Sequence, residues 1–352
     1  MPELQGVGDD QAVAELRGRL NMPSTSGVAG WMALLFCISL AGTLAARRYA
    51  LWRDLLDHPG ERRSHVVSTP RGGGIGIVLA LLVALVVVAC RNHHQAVAMV
   101  LAATGLLLVA GIGWLDDHRP LTPWSRLVVH AFAAGLLGVL AYRASGQLPA
   151  ALIAFALAMV LVNIWNFMDG IDGIAAMQAL IVACAFALLA RDPLSRWASM
   201  ALAAACLGFL PLNLVKARIF LGDVGSGALG YGIALAMTLS ATGSDATSPS
   251  TWALLLLPLS AFLLDALLTL ASRIVRGERW WTAHVGHAYQ RWARVLGRHW
   301  PVTLAYTLWA MAGSILAWLV SDRSEATIMA ACVTWYLGGG IPWLWFQSRR
   351  NR

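Results

Sequence analysis

The chain has 352 residues, of which 58% are hydrophobic and only 12% are charged. Soluble domains carry about 25% charged residues, so this composition excludes an ordinary water-soluble protein and predicts a chain largely covered by lipid. The net charge is +8, but the basic residues lie in short stretches between apolar runs without a basic helix or binding module, so we expect no nucleic-acid partner.

Eleven apolar segments are long enough to cross a bilayer as helices, since about 20 helical residues span its hydrocarbon core. They cover residues 29–46, 73–90, 95–114, 126–143, 149–166, 173–190, 196–214, 226–243, 251–272, 301–320 and 325–346. We predict an all-α polytopic membrane protein with about eleven transmembrane helices. Residues 1–28 would form a polar N-terminal extension, 29–346 a single multi-span domain, and 347–352 a basic tail.

The distribution of Lys and Arg predicts the orientation of these spans. With the N-terminus outside, nineteen of the 26 basic residues fall in cytoplasmic loops and tails, and seven fall outside. The positive-inside rule therefore places the C-terminus in the cytoplasm. The motifs described next also lie at the cytoplasmic ends of the predicted spans, which indicates a cytoplasmic substrate.

A basic, glycine-rich segment follows the first span. It contains Arg63 and His65, and then Arg71 directly before three glycines at 72–74. Glycines let the backbone approach a ligand, and a helix start beside arginines suits a phosphate. The alternative, an ordinary basic loop before a glycine-rich helix start, is equally open.

A pair of adjacent carboxylates, Asp116 and Asp117, ends the third span. Two acids at a membrane boundary are costly unless they are hydrated, paired or metal-bound. They could hold Mg²⁺ or accept a proton from a phosphate. The alternative is a solvated pair of loop carboxylates.

A polar cassette joins the fifth and sixth spans. It contains Asn166, Asp169 and Asp172, with a glycine after each aspartate. The two aspartates are three residues apart and would share one face if this segment were helical. Helix capping explains one aspartate but not the whole cassette.

A glycine-rich stretch before the eighth span carries a further carboxylate. Asn213 stands ten residues upstream of Asp223, which is flanked by glycines, and Ser226 could cap the helix that follows. A carboxylate in such a loop is a reasonable Mg²⁺ ligand, although glycine loops before helices are widespread.

The long basic loop between spans nine and ten contains His284, His287 and Arg291. Two histidines and an arginine can hold a diphosphate. Zinc is the rival interpretation, but no cysteine accompanies them. Inside span nine, Asp265 is either a functional acid or a buried polar contact to a neighbouring helix, and we favour the contact.

Together and in this order, the five motifs resemble those of the polyprenyl-phosphate N-acetylhexosamine-1-phosphate transferases, glycosyltransferase family 4. The signatures are D-x-P…R…H…GGG, DD, NFMDGxDG, FxGDxGS and a histidine loop, and they cover about residues 50–300. The span count and the HxxHAYQ form resemble the O-antigen-initiating members.

The resemblance implies roles for individual residues. Asp116 and Asp117 would act in catalysis, by deprotonating the lipid phosphate or as a covalent nucleophile. Asp223 would bind Mg²⁺, together with Asp169, and Mn²⁺ is an alternative ion. The substrate-binding positions would be Asn166, Asp169, Asp172, Asn213, His284, His287, Arg291, Arg63, His65 and Arg71.

The sequence departs from the family pattern at three places in its motifs. Arg119 and Pro120 stand where an aspartate often follows the DD pair, Gly286 replaces a histidine of the HxHH loop, and Lys216 replaces a proline. These departures leave the sugar specificity open. They do not change the expected reaction class.

The resemblance implies Mg²⁺-dependent transfer of an N-acetylhexosamine-1-phosphate from a UDP-N-acetylhexosamine to undecaprenyl phosphate, with release of UMP. The enzyme would initiate a lipid-linked polysaccharide of O-antigen type. It would lie in the bacterial cytoplasmic (inner) membrane, among membrane lipids, with its active site facing the cytoplasm, and a homodimer stays open. The rivals are a membrane transporter and a catalytically degenerate scaffold of polysaccharide assembly.

Overall fold

The computed structural model describes residues 25–58, 68–214, 216–243, 248–278 and 286–348. They form a helical bundle and one antiparallel two-stranded sheet, β1 (Leu56–Asp57) with β2 (Thr69–Pro70). The α-helices are α1 (Thr25–Trp52), α2 (Ile75–Arg91), α3 (Ala96–His118), α4 (Pro123–Ser145), α5 (Leu148–Met168), α6 (Ile174–Leu189), α7 (Pro193–Phe209), α8 (Gly222–Thr242), α9 (Pro249–Leu256), α10 (Ser260–Val275), α11 (Ala288–Leu296), α12 (Trp300–Val320) and α13 (Glu325–Ser348).

The helices follow the apolar segments of the sequence, because a backbone in lipid must satisfy its hydrogen bonds within its own segment. All eleven predicted segments lie on helices. Within the described residues, eight helical units are long and apolar enough to cross a membrane, while α2 and α6 are apolar but shorter. The all-α, multi-pass class is confirmed, and the number eleven and the orientation of the termini stay predictions.

The predicted division into an extension, one domain and a tail also stays a prediction. Residues 1–24 and 349–352 lie outside the described part of the chain. The same holds for Arg63, His65 and His284.

Helix α8 forms the centre of the bundle. Its most apolar stretch is 94% buried, and it packs against α3, α5, α6 and α7. A helix that is apolar on all sides lies inside a protein rather than at its surface. The other helices therefore surround the element that carries Asp223 at its first turn.

Close approach of two glycines fixes the start of α2 against α8. A Cβ atom on Gly74 would lie 2.1 Å from the Cα of Gly225, a distance that no side chain tolerates. The backbone N–H groups of Gly73 and Gly74 donate to the carbonyls of Phe220 and Leu221, each at 2.9 Å. These glycines serve helix packing and hold the segment that precedes α8.

Two prolines interrupt the helical path. Pro258 lies in a short 3₁₀ turn, Leu257–Leu259, that separates α9 from α10. Pro211 lies in a similar turn at the end of α7. Proline lacks the N–H that continues an α-helix, which explains both breaks.

Candidate active site

The polar motifs converge at one end of the bundle. Asp116 and Asp117 lie in the last turn of α3, Asn166 in the last turn of α5, and Asp223 in the first turn of α8. The loop that carries Arg71 lies beside them, since the Arg71 guanidinium donates to the backbone carbonyl of Asp117. The structure thus brings together residues that are up to about 150 positions apart in the chain.

Asp117 caps the central helix. Its two carboxylate oxygens accept the backbone N–H groups of Asp223 and Val224, each at 3.1 Å, and its exposed fraction is 4%. A carboxylate at this position satisfies free donors of the first turn and complements the helix dipole. Gly222 begins the helix with φ +75, which only glycine adopts readily.

Arg126 joins the two remaining carboxylates. Its Nη1 lies 2.8 Å from Asp116 Oδ2 and 2.9 Å from Asp223 Oδ2. Asp116 is held further by the backbone N–H of Leu121, which donates to Oδ1 at 2.6 Å. One cationic nitrogen therefore occupies a point that two carboxylates share.

Arg126 is a residue that reasoning from the sequence missed, because it counted only as one more basic residue of a cytoplasmic loop. It lies in the first turns of α4, which begins at Pro123 with Thr122 as its N-cap. The helix dipole disfavours a cation near this end. A basic residue at a helix start, ten residues after Asp116, is the signal that could have found it.

Asn166 completes the cluster around Asp223. Its Nδ2 donates to Asp223 Oδ1 at 2.9 Å and to Ser226 Oγ at 3.1 Å. The prediction that Ser226 caps its helix is wrong, because α8 already begins at Gly222 and Asp117 supplies the cap. Ser226 instead lies one turn inside the helix and orients the Asn166 amide.

Asp169 and Asp172 lie in the turn after α5 and not on a helix, so the shared helical face does not form. Burial, together with the charges of Asp117 and Asp172, raises the pKa of Asp169 to about 7. Asp172 Oδ1 lies 3.3 Å from His299 Nδ1, and its Oδ2 accepts the backbone N–H of Ala217 at 3.4 Å. Both carboxylates remain at the same end of the bundle.

Asn213 organises the backbone of this end. Its Oδ1 accepts the N–H of Gly173, and its Nδ2 donates to the carbonyl of Ile219, both at 2.9 Å. These two contacts join the turn that begins α6 to the segment that leads into α8. The Asn213 amide is thereby placed in a supporting position behind the predicted substrate loops.

Asp265 holds the end of the histidine loop. Its oxygens accept the N–H groups of Ala288 and Tyr289 at 2.8 and 3.1 Å, and the Tyr306 hydroxyl at 2.7 Å. His287, 3% exposed, has its Nδ1 3.7 Å from Asp265 Oδ1. The structure thus agrees with a buried polar contact as the role of Asp265, and that contact is the cap of α11.

The histidine loop also reaches the cassette after α5. The hydroxyl of Tyr289 donates to the carbonyl of Phe167 at 3.0 Å. Burial raises the pKa of Tyr289 well above its usual value, so the phenol stays a donor. Arg291 lies one turn along α11, where its backbone N–H donates to the His287 carbonyl at 3.2 Å.

The carboxylates and the amide of the site form a small set of possible metal ligands. The described residues contain no group of three or more His, Cys, Asp and Glu side chains gathered around one point. The point at Arg126 offers two carboxylates, Asp116 and Asp223, and the Asn166 amide beside them. Mg²⁺ commonly uses one or two carboxylates and completes its shell with water and substrate phosphates, so this oxygen set fits it.

Comparison with known proteins identifies the family. A model of glycosyl transferase family 4 matches residues 99–241. The decaprenyl-phosphate N-acetylglucosaminephosphotransferase of Mycobacterium leprae (strain TN) is 30% identical over 323 residues, which cover 80% of each protein. This chain belongs to glycosyl transferase family 4. A second relative of this family 4 protein, the phospho-N-acetylmuramoyl-pentapeptide-transferase of Synechococcus sp. (strain JA-2-3B'a(2-13)), is 35% identical over 256 residues, 66% of this chain and 72% of that enzyme.

The family match covers the centre of the site. Residues 99–241 include both carboxylates that Arg126 joins, and Asn166 beside them. Asp265 and the histidine loop lie beyond it. The family match, together with a relative that is named as a phosphotransferase of decaprenyl phosphate, confirms the family resemblance inferred from the motifs.

Proposed function

We propose that this protein transfers an N-acetylhexosamine-1-phosphate from a UDP-sugar to undecaprenyl phosphate and releases UMP. An oxygen of the lipid phosphate attacks the β-phosphorus of the donor, the bond between the β-phosphorus and the bridging oxygen breaks, and UMP leaves with that oxygen. The product is a polyprenyl diphosphate sugar. Such a reaction needs cations near the diphosphate and carboxylates that position them.

The observation that carries the proposal is the cluster formed by Arg126, Asp116 and Asp223. It places one guanidinium and two carboxylates at the end of membrane-spanning helices, where a lipid phosphate and a water-soluble nucleotide can meet. The relatives named as phosphotransferases support this interpretation. A transporter would instead place polar groups along a path through the bundle.

Mg²⁺ belongs to the proposal. Asp223 and Asp116 would hold it, and Asn166 would support Asp223. Asp169, the other ligand implied by the resemblance, would lie outside this pair, since the described residues gather no third carboxylate around one point. When bound, the ion would neutralise charge on the donor diphosphate. Arg126 can move its guanidinium from the carboxylates onto a phosphate oxygen, because its side chain is 27% exposed.

The residues of the carboxylate pair receive different roles. Both oxygens of Asp117 accept backbone N–H groups, which supports a positioning role for this residue. Asp116 has an exposed fraction of 11% and contacts the guanidinium of Arg126, which supports a direct role for Asp116 in holding the ion beside the reacting phosphates. The nucleotide would lie towards Asp169 and Asp172, beyond Asn166.

We place the protein in the bacterial inner membrane with this end of the bundle facing the cytoplasm, because the topology with the N-terminus outside would put nineteen of the 26 basic residues on that side. The HxxHAYQ segment supports initiation of a polysaccharide of O-antigen type. An N-acetylhexosamine is the expected sugar, and the choice among hexosamines is left to experiment.

The test is a substrate panel with the purified full-length protein in lipid nanodiscs. Undecaprenyl phosphate is offered with UDP-sugars that differ at C4 and C6, and UMP release is measured with Mg²⁺, with Mn²⁺ and with excess EDTA. We expect turnover of at least one UDP-N-acetylhexosamine, dependent on the divalent cation. Full turnover in EDTA would reject the metal, and flux of a labelled solute without UMP release would favour a transporter.

The matched variants are Asp223→Asn and Asp322→Asn. Asp322 is 95% exposed and follows α12 at the end of the bundle opposite the site. We expect Asp223→Asn to abolish UMP release and Asp322→Asn to leave it unchanged. Retained activity of Asp223→Asn would reject the proposed site.

A further inference from the structure

A cavity separate from the carboxylate cluster lies between α10, α11, α12 and α13. Its volume is about 260 Å³. Asp265 and Ala288 form its wall towards the histidine loop, and Trp309, Trp343 and Gly339 lie on the side of α12 and α13. Helices α10 and α12 belong to segments that are long and apolar enough to cross a membrane, so the cavity lies within the depth of the bilayer.

The lining is suited to a hydrocarbon. Seven of its ten lining residues are tryptophan, alanine or leucine. Its two most polar members are already paired with each other, since the Tyr306 hydroxyl donates to Asp265 Oδ2 at 2.7 Å. An apolar cavity of about 150 Å³ stays dry and binds benzene, so 260 Å³ accommodates a longer apolar group.

One donor in this lining has no acceptor. The indole N–H of Trp343 is buried and has no hydrogen-bond partner among the described residues, and the whole residue is 9% exposed. The other indole of this wall, Trp309, donates to Ser260 Oγ at 3.0 Å. A buried donor without an acceptor costs about 1–3 kcal/mol, so an occupant of the cavity should bring an acceptor to Trp343.

The depth of Trp343 in the membrane indicates which chemical group would accept its N–H. It lies five residues before the end of α13, and α12 begins at Trp300 on the same side, where Thr303 contacts the carbonyl of Asp172. Tryptophans at such helix ends mark the interface between hydrocarbon and headgroups. The ester carbonyls of phospholipids lie at this level.

We propose that the cavity binds one ester-linked acyl chain of a membrane phospholipid, with the ester carbonyl accepting the N–H of Trp343. A prenyl phosphate fits less well, because it has no ester carbonyl between its chain and its phosphate to accept the N–H of Trp343. The chain would pack against Tyr306 and Trp309. This site is distinct from the one proposed for catalysis and does not depend on it.

The occupied cavity would stabilise the histidine loop. The same carboxylate that lines the cavity caps α11 through the N–H groups of Ala288 and Tyr289. A chain that holds Tyr306 in place therefore preserves the hydrogen bond from its hydroxyl to Asp265. Lipid in the cavity and the order of the histidine loop are therefore linked through Asp265.

Photo-crosslinking tests the site in the full-length protein in nanodiscs. Three probes carry a diazirine in the chain: an ester-linked phosphatidylglycerol, its ether-linked analogue and a prenyl phosphate. After irradiation, labelled peptides are identified by mass spectrometry. We expect the ester-linked probe to label the peptides of Trp309 and Trp343 severalfold more than the ether-linked or the prenyl probe.

Filling variants show whether the label comes from the cavity. Ala305→Phe and Ala261→Phe place a ring in the cavity and should reduce labelling at least fivefold. Leu304→Phe is the matched control, since Leu304 is 47% exposed on the outer face of α12. Trp343→Phe retains an aromatic ring, although a smaller one, and removes the N–H donor, so it should abolish the preference for ester over ether.

The outcomes that overturn the proposal are definite. They are equal labelling by ester-linked and ether-linked probes in the unaltered protein, stronger labelling by the prenyl probe, or unchanged labelling in both filled variants. UMP release measured on the same samples keeps this result separate from the proposed catalytic function. If the protein is labelled as expected but releases no UMP, the proposed lipid site stands and the proposed transferase function fails.

Discussion

The carboxylate of Asp117 accepts the backbone N–H of Asp223 at 3.1 Å, so one acidic residue of the site holds the helix that carries another. The neighbour of Asp117 has a different environment. Asp116 faces Arg126 at 2.8 Å and Leu121 N at 2.6 Å. The two adjacent aspartates thus have different roles. Asp117 caps the start of α8, and Asp116 forms an ion pair with Arg126.

Substitution of each aspartate by alanine should separate these purposes. Asp117→Ala leaves two buried N–H groups of α8 without a partner, and loss of an N-cap costs about 0.5–2 kcal/mol. We expect a lower melting temperature together with lost UMP release. Asp116→Ala should lose UMP release with a smaller change in melting temperature. Equal thermal shifts in the two variants would contradict the division of roles.

Arg126 provides a second prediction. Without its guanidinium, Asp116 and Asp223 face each other as like charges, which increases their affinity for a divalent cation. Arg126→Ala should therefore need less Mg²⁺ for half-maximal activity. Its kcat should nevertheless fall roughly ten- to a hundredfold, since hydrogen bonds to charged groups contribute about 1.5–3 kcal/mol.

A Mg²⁺ titration of UMP release measures both effects of Arg126→Ala, and Arg119→Ala serves as the control. Arg119 follows the same carboxylate pair but is the exposed C-cap of α3. We expect it to behave like the unaltered protein. An Arg126→Ala variant that requires more Mg²⁺ would show that the guanidinium does not compete with the ion.

Much of the fold could be predicted from the sequence because hydropathy is a local property. Each apolar segment lies on helix, although the turn at Pro258 divides the segment 251–272 into α9 and α10, and Asp116 ends a helix as its segment predicts. Asp223 was expected in a glycine loop before its span and lies instead in the first turn of α8. Their convergence at one end also followed, since alternate spans begin on the same side.

Contacts between side chains on different helices could not be predicted from the sequence. The contact between Arg126 and Asp223 joins residues 97 positions apart, and the cap that Asp265 provides to α11 joins two separate helices. The pattern of apolar residues along the chain contains no information about such pairs. Ser226 was expected to cap α8 for the same reason. The cap instead comes from Asp117, which lies on α3 and accepts the N–H of Asp223.

Asp265 leads to a third prediction, on the order of the histidine loop. Asp265→Ala removes the acceptor of two backbone N–H groups, which costs about 1–3 kcal/mol for each buried group left unsatisfied. Tyr306→Phe removes only one hydroxyl and leaves the cap intact. Hydrogen exchange of the peptide at 286–296 should become much faster in Asp265→Ala than in Tyr306→Phe. Similar exchange in both would show that the cap does not order the loop.

The contact between Gly74 and Gly225 gives the last prediction. Because a Cβ on Gly74 would lie 2.1 Å from the Cα of Gly225, Gly74→Ala must push α2 away from α8 and stretch the bonds to Phe220 and Leu221. Those bonds position the segment before Asp223, so we expect both stability and UMP release to decrease. Gly111→Ala is the matched control, as its Cβ would meet nothing within 4 Å on α3. It should raise stability slightly, by up to about 1 kcal/mol, because alanine favours helix more than glycine does. If Gly74→Ala were as stable and active as Gly111→Ala, the close approach of the two helices would not support the site.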